Sequence, residues 1–147
     1  MSIERVLFLC THNSARSQMA EGLLRHLGGG SVEVASAGTE ARGVHPLAVR
    51  VMAEIGIDLR GHASKTLDRF VGEPWDDVIT VCDHANESCP IFPGATRRLH
   101  WSFDDPSAAT GSEEQRLAAF RHVRDEIRAR IETWLAPRPA PAGRRSA

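Results

Sequence analysis

Residues 6–22 read VLFLCTHNSARSQMAEG, and this stretch decides the fold. An apolar run ends on Cys10, a short polar loop follows, and Arg16 and Ser17 stand where helical spacing begins. The run from about residue 4 to 9 is rich in strand formers and has no alternation, the pattern of a parallel strand buried on both faces. SQMAEGLLRHL then sets Met19, Leu23, Leu24 and Leu27 on one side of a helix, which Gly28, Gly29 and Gly30 stop. In an open parallel sheet, ligands gather beyond the carboxyl ends of the strands, and Cys10 falls at such an end. The loop can turn its backbone N–H groups inward while the helix aims its positive end at the same point. Thr11, His12, Asn13, Ser14, Ala15, Arg16 and Ser17 are therefore the expected oxyanion-binding segment.

The same donors favour a thiolate, and the pKa of Cys10 is expected to fall from about 8.5 into the range of roughly 3.5 to 7.5. Arg16 offers a planar fork for two oxygens of an anion, and Ser17 a hydroxyl for the sulfur. The bland alternative is a buried cysteine that ends a strand, with Arg16 merely solvated. The spacing C-x5-R-S between a strand and a helix favours a phosphate-type oxyanion.

Outward from this stretch, SVEVASAG alternates as a second strand and HPLAVRVMAEIG reads as a helix, with Pro46 in its first turn and Gly56 behind it. DDVITVC is a third strand, again ending on a cysteine, Cys82, and RRLHW a short fourth. SEEQRLAAFRHVRDEIRARIETWL is a long amphipathic helix whose stripe is Leu117, Phe120, Val123, Ile127, Ile131 and Trp134. Strands alternating with helices predict an α/β domain over residues 1–135, with a small open parallel sheet of about four strands flanked by helices. APRPAPAGRRSA, residues 136–147, is expected to be a disordered tail.

The chain of 147 residues suits one hydrophobic core. A formal net charge of -1 offers no field for nucleic acid or an anionic membrane, so any anion must be held locally. No segment approaches the roughly 20 apolar residues of a membrane span, and the first apolar run is too short for a signal peptide, so a cytoplasmic protein is expected. Three cysteines, an odd number, suit thiols kept for chemistry in a reducing compartment.

CTHNSARSQMAEG resembles the active-site loop of the low-molecular-weight protein tyrosine phosphatase superfamily, and WSFDDP resembles its acid-bearing loop. The likeness runs from about residue 4 to 135. Within the superfamily, SAGT, VHPLAV, IGIDLRGHASKTL and VCDHANESCP are most similar to the thioredoxin-coupled arsenate reductases. That resemblance implies arsenate as substrate, phosphate as a competing anion, thioredoxin as reductant and partner, no bound cofactor or metal, and a monomer. It also implies that Cys10 attacks arsenate, Asp105 protonates the departing oxygen, Cys82 attacks Cys10, and Cys89 resolves the disulfide so formed. Asp104 is the local competitor of Asp105.

A phosphatase acting through a phosphocysteine at Cys10 is the main rival, and a sensor binding arsenite or a metal through the three thiols is another. Cys82 and Cys89 could also be packed thiols, or metal ligands with His84, although C-x-H-x4-C is not a usual zinc spacing. In an intact helix they would stand about 10.5 Å apart along the axis, against about 7 Å between Cα atoms for a disulfide, so the segment is expected to unwind on oxidation. The chain has no tyrosine, and Ser107 stands where tyrosine phosphatases usually place one.

Asn13 is expected to pin the loop by bonding its backbone. His12 stands where relatives often carry glycine, which suggests a positive φ at that position. Ala15 replaces a cysteine that some relatives carry. Glu21 and Ser36 match positions that in some of these reductases help bind potassium near Asn13, but Lys65 replaces the usual acidic partner, so little potassium dependence is expected. His45, His62, His100 and His122 are assigned no role.

Overall fold

A computed structural model of the chain describes residues 4–81 and 94–136. The strand that carries Cys10, β1 (Glu4–Cys10), is central and is buried from Val6 onward. It pairs in parallel with β2 (Val32–Gly38) on one side and with β3 (Trp75–Thr80) on the other, and β4 (Ala95–His100) closes the sheet as a parallel edge. The order is β2-β1-β3-β4. Both neighbours of β1 cover its edges, and both of its faces are packed: Val6, Phe8 and Cys10 point into one apolar cluster, Leu7 and Leu9 into the other. An unbroken apolar run is what such a strand requires.

The larger cluster holds the three described helices. These are α1 (Arg16–Gly28), α2 (Pro46–Ala53) and α3 (Glu113–Leu135). The expected stripe of α3 is buried from Leu117 to Ile131, with Trp134 packed at its margin. Its start is set by a capping box, in which the Ser112 hydroxyl accepts from the Gln115 N–H at 3.2 Å and the Ser112 N–H donates to Gln115 Oε1 at 2.8 Å. Arg124 is buried on the same helix because its guanidinium donates to the Val51 carbonyl and to Glu54 at the end of α2. Leu67, Trp75 and Val78 join Leu7 and Leu9 on the other face.

α1 is not one-sided: every residue from Ser17 to Leu24 is buried, polar ones included, because β2, α3 and the segment around Leu59 enclose its first two turns. α2 stops at Ala53 rather than running to Gly56, which takes φ +81° and turns the chain back so that the Ile57 N–H donates to the Met52 carbonyl. The expected tail past residue 136 and the cysteines at 82 and 89 lie outside the described residues. Among the described residues no helix is long and apolar enough to cross a membrane.

β1 is where the strand order reverses direction, with β2 following on one side and β3 on the other, and the crevice beyond it is where an open α/β sheet takes a ligand. Gly38, at the end of β2, lies against this crevice so closely that a Cβ would meet the Glu40 carbonyl oxygen at 2.6 Å and both the Asn13 nitrogen and the Thr11 carbonyl oxygen at 2.7 Å. All three are backbone atoms with little room to give. Gly38→Ala is expected to destabilise the protein by about 1–3 kcal/mol in urea unfolding and to weaken phosphate binding together with it.

Candidate active site

Between β1 and α1 the chain forms a loop whose carbonyls are all drawn outward. Thr11 O accepts from the Glu40 N–H and the Thr39 hydroxyl, His12 O from the Arg42 N–H and the Ser64 hydroxyl, and Asn13 O from Ser64 and Gln18. Ser14 O accepts from the His45 N–H, and Ala15 O from the Met19 N–H inside α1. In a trans peptide the N–H of the next residue points opposite to the carbonyl. The amides from His12 to Arg16 are thus turned toward the inside of the loop. α1 begins beside them without a side-chain cap and with no acidic residue in its first turn, so its positive end also faces this point.

One buried side chain fixes this curl. Asn13 has φ 48°, the one positive value outside glycine among the described residues, and is 0% exposed. Its amide nitrogen donates to Ser17 Oγ and Ser36 Oγ, both at 2.9 Å, and its carbonyl oxygen accepts from Gln18 Nε2 at 3.0 Å and the Lys65 N–H at 2.8 Å. All four bonding positions of the amide are used. The left-handed residue is therefore Asn13, not His12 as the comparison with glycine suggested. Asn tolerates that region because its short side chain bonds locally, and here those bonds hold it there.

A cavity of about 30 Å³ opens on the loop. Cys10, His12, Ser14, Ala15 and Arg16 line it from the strand, loop and helix, and Asp105 and Ser107 from the segment after β4. Thr11, Asn13 and Ser17, also expected there, do not line it. Cys10 is 4% exposed. Arg16 reaches across to the acid-bearing segment, donating to the Phe103 carbonyl at 3.0 Å, with Nη2 3.8 Å from Asp105 Oδ2. Burial raises the pKa of Asp105, but the Ser107 hydroxyl, the Arg16 guanidinium, the Ser107 amide and His12 together outweigh it and hold the carboxyl below its ordinary range. Asp104 is exposed and does not line the cavity.

Several residues that sequence reasoning passed over support the loop. Gln18 Nε2 donates to Asn13, so Gln18 Oε1 must accept, and His62 Nδ1 donates to it at 3.0 Å. His62 Nε2 then accepts from Arg25 at 3.2 Å, which describes a neutral imidazole. Burial first, aided by Arg25 and Lys65 and opposed by Glu21, lowers its pKa. Ser64 ties down two loop carbonyls. His45 caps α2, accepting at Nδ1 from the Leu47 N–H.

A family model described as low molecular weight phosphotyrosine protein phosphatase matches residues 5–140. The chain belongs to that family. An arsenate reductase of Halalkalibacterium halodurans is 48% identical over 134 residues, 91% of this chain and 96% of the relative. A solved structure of an arsenate reductase in the phosphate binding state superposes with a TM-score of 0.79 at 36% identity, over 91% of this chain and 98% of that one. A thioredoxin-dependent arsenate reductase of Corynebacterium glutamicum gives 0.67 at 33% identity, covering 90% of this chain and 60% of that chain. Within the phosphatase family, then, the chain stands among the arsenate reductases, on a fold with a four-stranded parallel sheet.

Beneath the loop, the buried carboxylate of Glu21 lies beside two of the protein's own cations. Glu21 is 5% exposed; its Oε1 accepts from Ser36 at 2.5 Å and its Oε2 from Arg25 at 2.6 Å, while Lys65 Nζ lies 3.9 Å from Oε1. Burial lowers the pKa of Lys65 and Glu21 opposes that shift. The ammonium and guanidinium beside Glu21 would repel a further cation there. Replacing sodium by potassium at constant ionic strength is expected to leave turnover and melting temperature unchanged, whereas several-fold activation by potassium would contradict this assignment.

Proposed function

We propose that the protein reduces arsenate to arsenite through Cys10, Cys82 and Cys89 and is returned to its dithiol state by thioredoxin. The observation that carries the reading is the loop itself: inward amides, an uncapped helix end, Arg16 and a buried cysteine surround one small cavity of the size for a compact tetrahedral anion. The arsenate reductases among its relatives supply the substrate, and the thioredoxin-dependent relative supplies the reductant. A cytoplasmic setting, with its reducing poise, suits this chemistry.

The reaction balances as follows. The Cys10 thiolate bonds to arsenic, and one arsenate oxygen leaves as water with a proton from Asp105. The Ser107 hydroxyl and then Arg16 favour the charged form of Asp105. A bound anion takes up the guanidinium and brings negative charge near Oδ2, and both changes raise the carboxyl's affinity for that proton. The Cys82 thiolate then attacks the Cys10 sulfur. The sulfur–arsenic bond breaks, its electron pair stays on arsenic, and arsenite leaves a Cys10–Cys82 disulfide. Cys89 attacks Cys82, frees the Cys10 thiolate, and the Cys82–Cys89 disulfide passes to the dithiol of thioredoxin. Val81, whose N–H donates to the Leu9 carbonyl at 2.8 Å, brings the chain alongside β1 one residue before Cys82.

The phosphatase reading shares the loop but has no use for the second and third thiols. Among the described residues no Phe, Tyr or Trp lines the cavity to stack a phosphotyrosine ring. In an assay of arsenate-dependent NADPH oxidation with thioredoxin and thioredoxin reductase, the native chain is expected to turn over repeatedly and Cys89→Ser to stop after about one cycle. Failure of the native chain, alongside hydrolysis of an aryl phosphate that Cys89→Ser leaves intact, would establish the phosphatase instead.

A further inference from the structure

The carboxylate of Asp105 is held on one of its two oxygens by a single neighbour. The Ser107 N–H donates to Oδ1 at 3.0 Å and the Ser107 hydroxyl donates to the same oxygen at 2.6 Å. The first bond belongs to any aspartate that caps a short turn, here the one over Pro106–Ala108, and needs no particular residue at 107. The second needs a hydroxyl, and Ser107 lines the same cavity as Cys10 and Arg16. Nothing about the fold requires it: Ser107 is exposed and packs into neither apolar cluster.

We propose that Ser107 is a positioning residue for Asp105, occupying Oδ1 so that Oδ2 is the oxygen that faces Arg16 and the bound oxyanion and delivers the proton. This rests on the reading above of Asp105 as the proton donor. An amide N–H can only donate, so a proton on Oδ1 would stand against it, whereas the nearest donor to Oδ2, Arg16 Nη2, stands 3.8 Å away and beyond hydrogen-bond distance. When Oδ2–H gives its proton to the departing arsenate oxygen, water leaves and a carboxylate forms, whose charge is met at once by the two Ser107 donors. Bonds that strengthen as charge develops lower a barrier rather than merely tighten binding.

The charged groups that act on Asp105 are Arg16 from α1, His12 from the loop and His45 at the start of α2, with Arg116 of α3 acting on His45 and Asp104 adjacent in the chain. Ser107→Ala leaves all of them in place and removes one donor to the charged form. The Asp105 pKa must then rise, and the limb on which the rate falls as Asp105 loses its proton must move to higher pH.

Two measurements test this on the full-length reduced chain. In single-turnover formation of arsenite followed against pH, Ser107→Ala is expected to be slower at its optimum, with the upper limb displaced upward by about one pH unit, while Ser107→Thr restores both. Inorganic phosphate should still protect Cys10 of the variant from alkylation, which shows the loop amides and Arg16 to be in place. A carbon-detected NMR titration of the Asp105 carboxyl should give the same upward shift without any turnover. An unshifted titration in Ser107→Ala overturns the proposal. An Asp105→Asn variant that reduces arsenate at the native rate would instead overturn the proton-donor reading on which it rests, even with the titration shifted.

Discussion

The amide of Asn13 is the interaction on which the site depends. It joins the left-handed turn of the loop to the first turn of α1 through Ser17 and Gln18, to β2 through Ser36, and to the segment before Leu67 through the Lys65 amide. Because the group is fully buried, each unmet donor or acceptor costs about 1–3 kcal/mol. Curling the loop at any other residue would leave these partners unmatched. The inward amides, the position of Arg16 at the helix start and the depth of Cys10 all follow from this one turn.

Charge is balanced locally at two depths. Near the surface, Arg16 spans the cavity between the anion loop and the carbonyl of Phe103, so the same guanidinium that can hold an oxyanion also ties the acid-bearing segment to the loop. Beneath the loop, the buried carboxylate of Glu21 is met by Arg25, Lys65 and, at 3.6 Å, the ring of His62. A buried carboxylate without such partners would be costly, and with them it fixes Ser36 and through Ser36 the Asn13 amide. Lys65 and Arg25 thus supply positive charge beside Glu21 from within the chain.

The strand of residues 4–10, the helix after it and the cysteine-to-arginine spacing were legible because they rest on short-range pattern: an unbroken apolar run, a polar loop, helical periodicity. The alternation of β2 and the stripe of α3 were legible for the same reason. What escaped was set by tertiary packing. Gln18, Ser64 and His62 look like ordinary surface polar residues, and only the fold folds them under the loop. The positive φ was expected at His12 by analogy with glycine, but the network that can hold such a turn converges on the next residue. The all-round burial of the first two turns of α1 was hidden because their polar positions face other polar groups, not solvent. Cys82 and Cys89 were singled out by their number and spacing, and both fall outside the described residues.

The central claim is that the loop makes Cys10 a thiolate beside an oxyanion site at neutral pH. The direct measurement is the pH dependence of alkylation of Cys10 by iodoacetamide in a Cys82→Ser, Cys89→Ser double variant, with and without inorganic phosphate. The account predicts an ionisation midpoint well below the roughly 8.5 of an unperturbed thiol, and protection by phosphate. A midpoint at or above that value, with no protection, would contradict it.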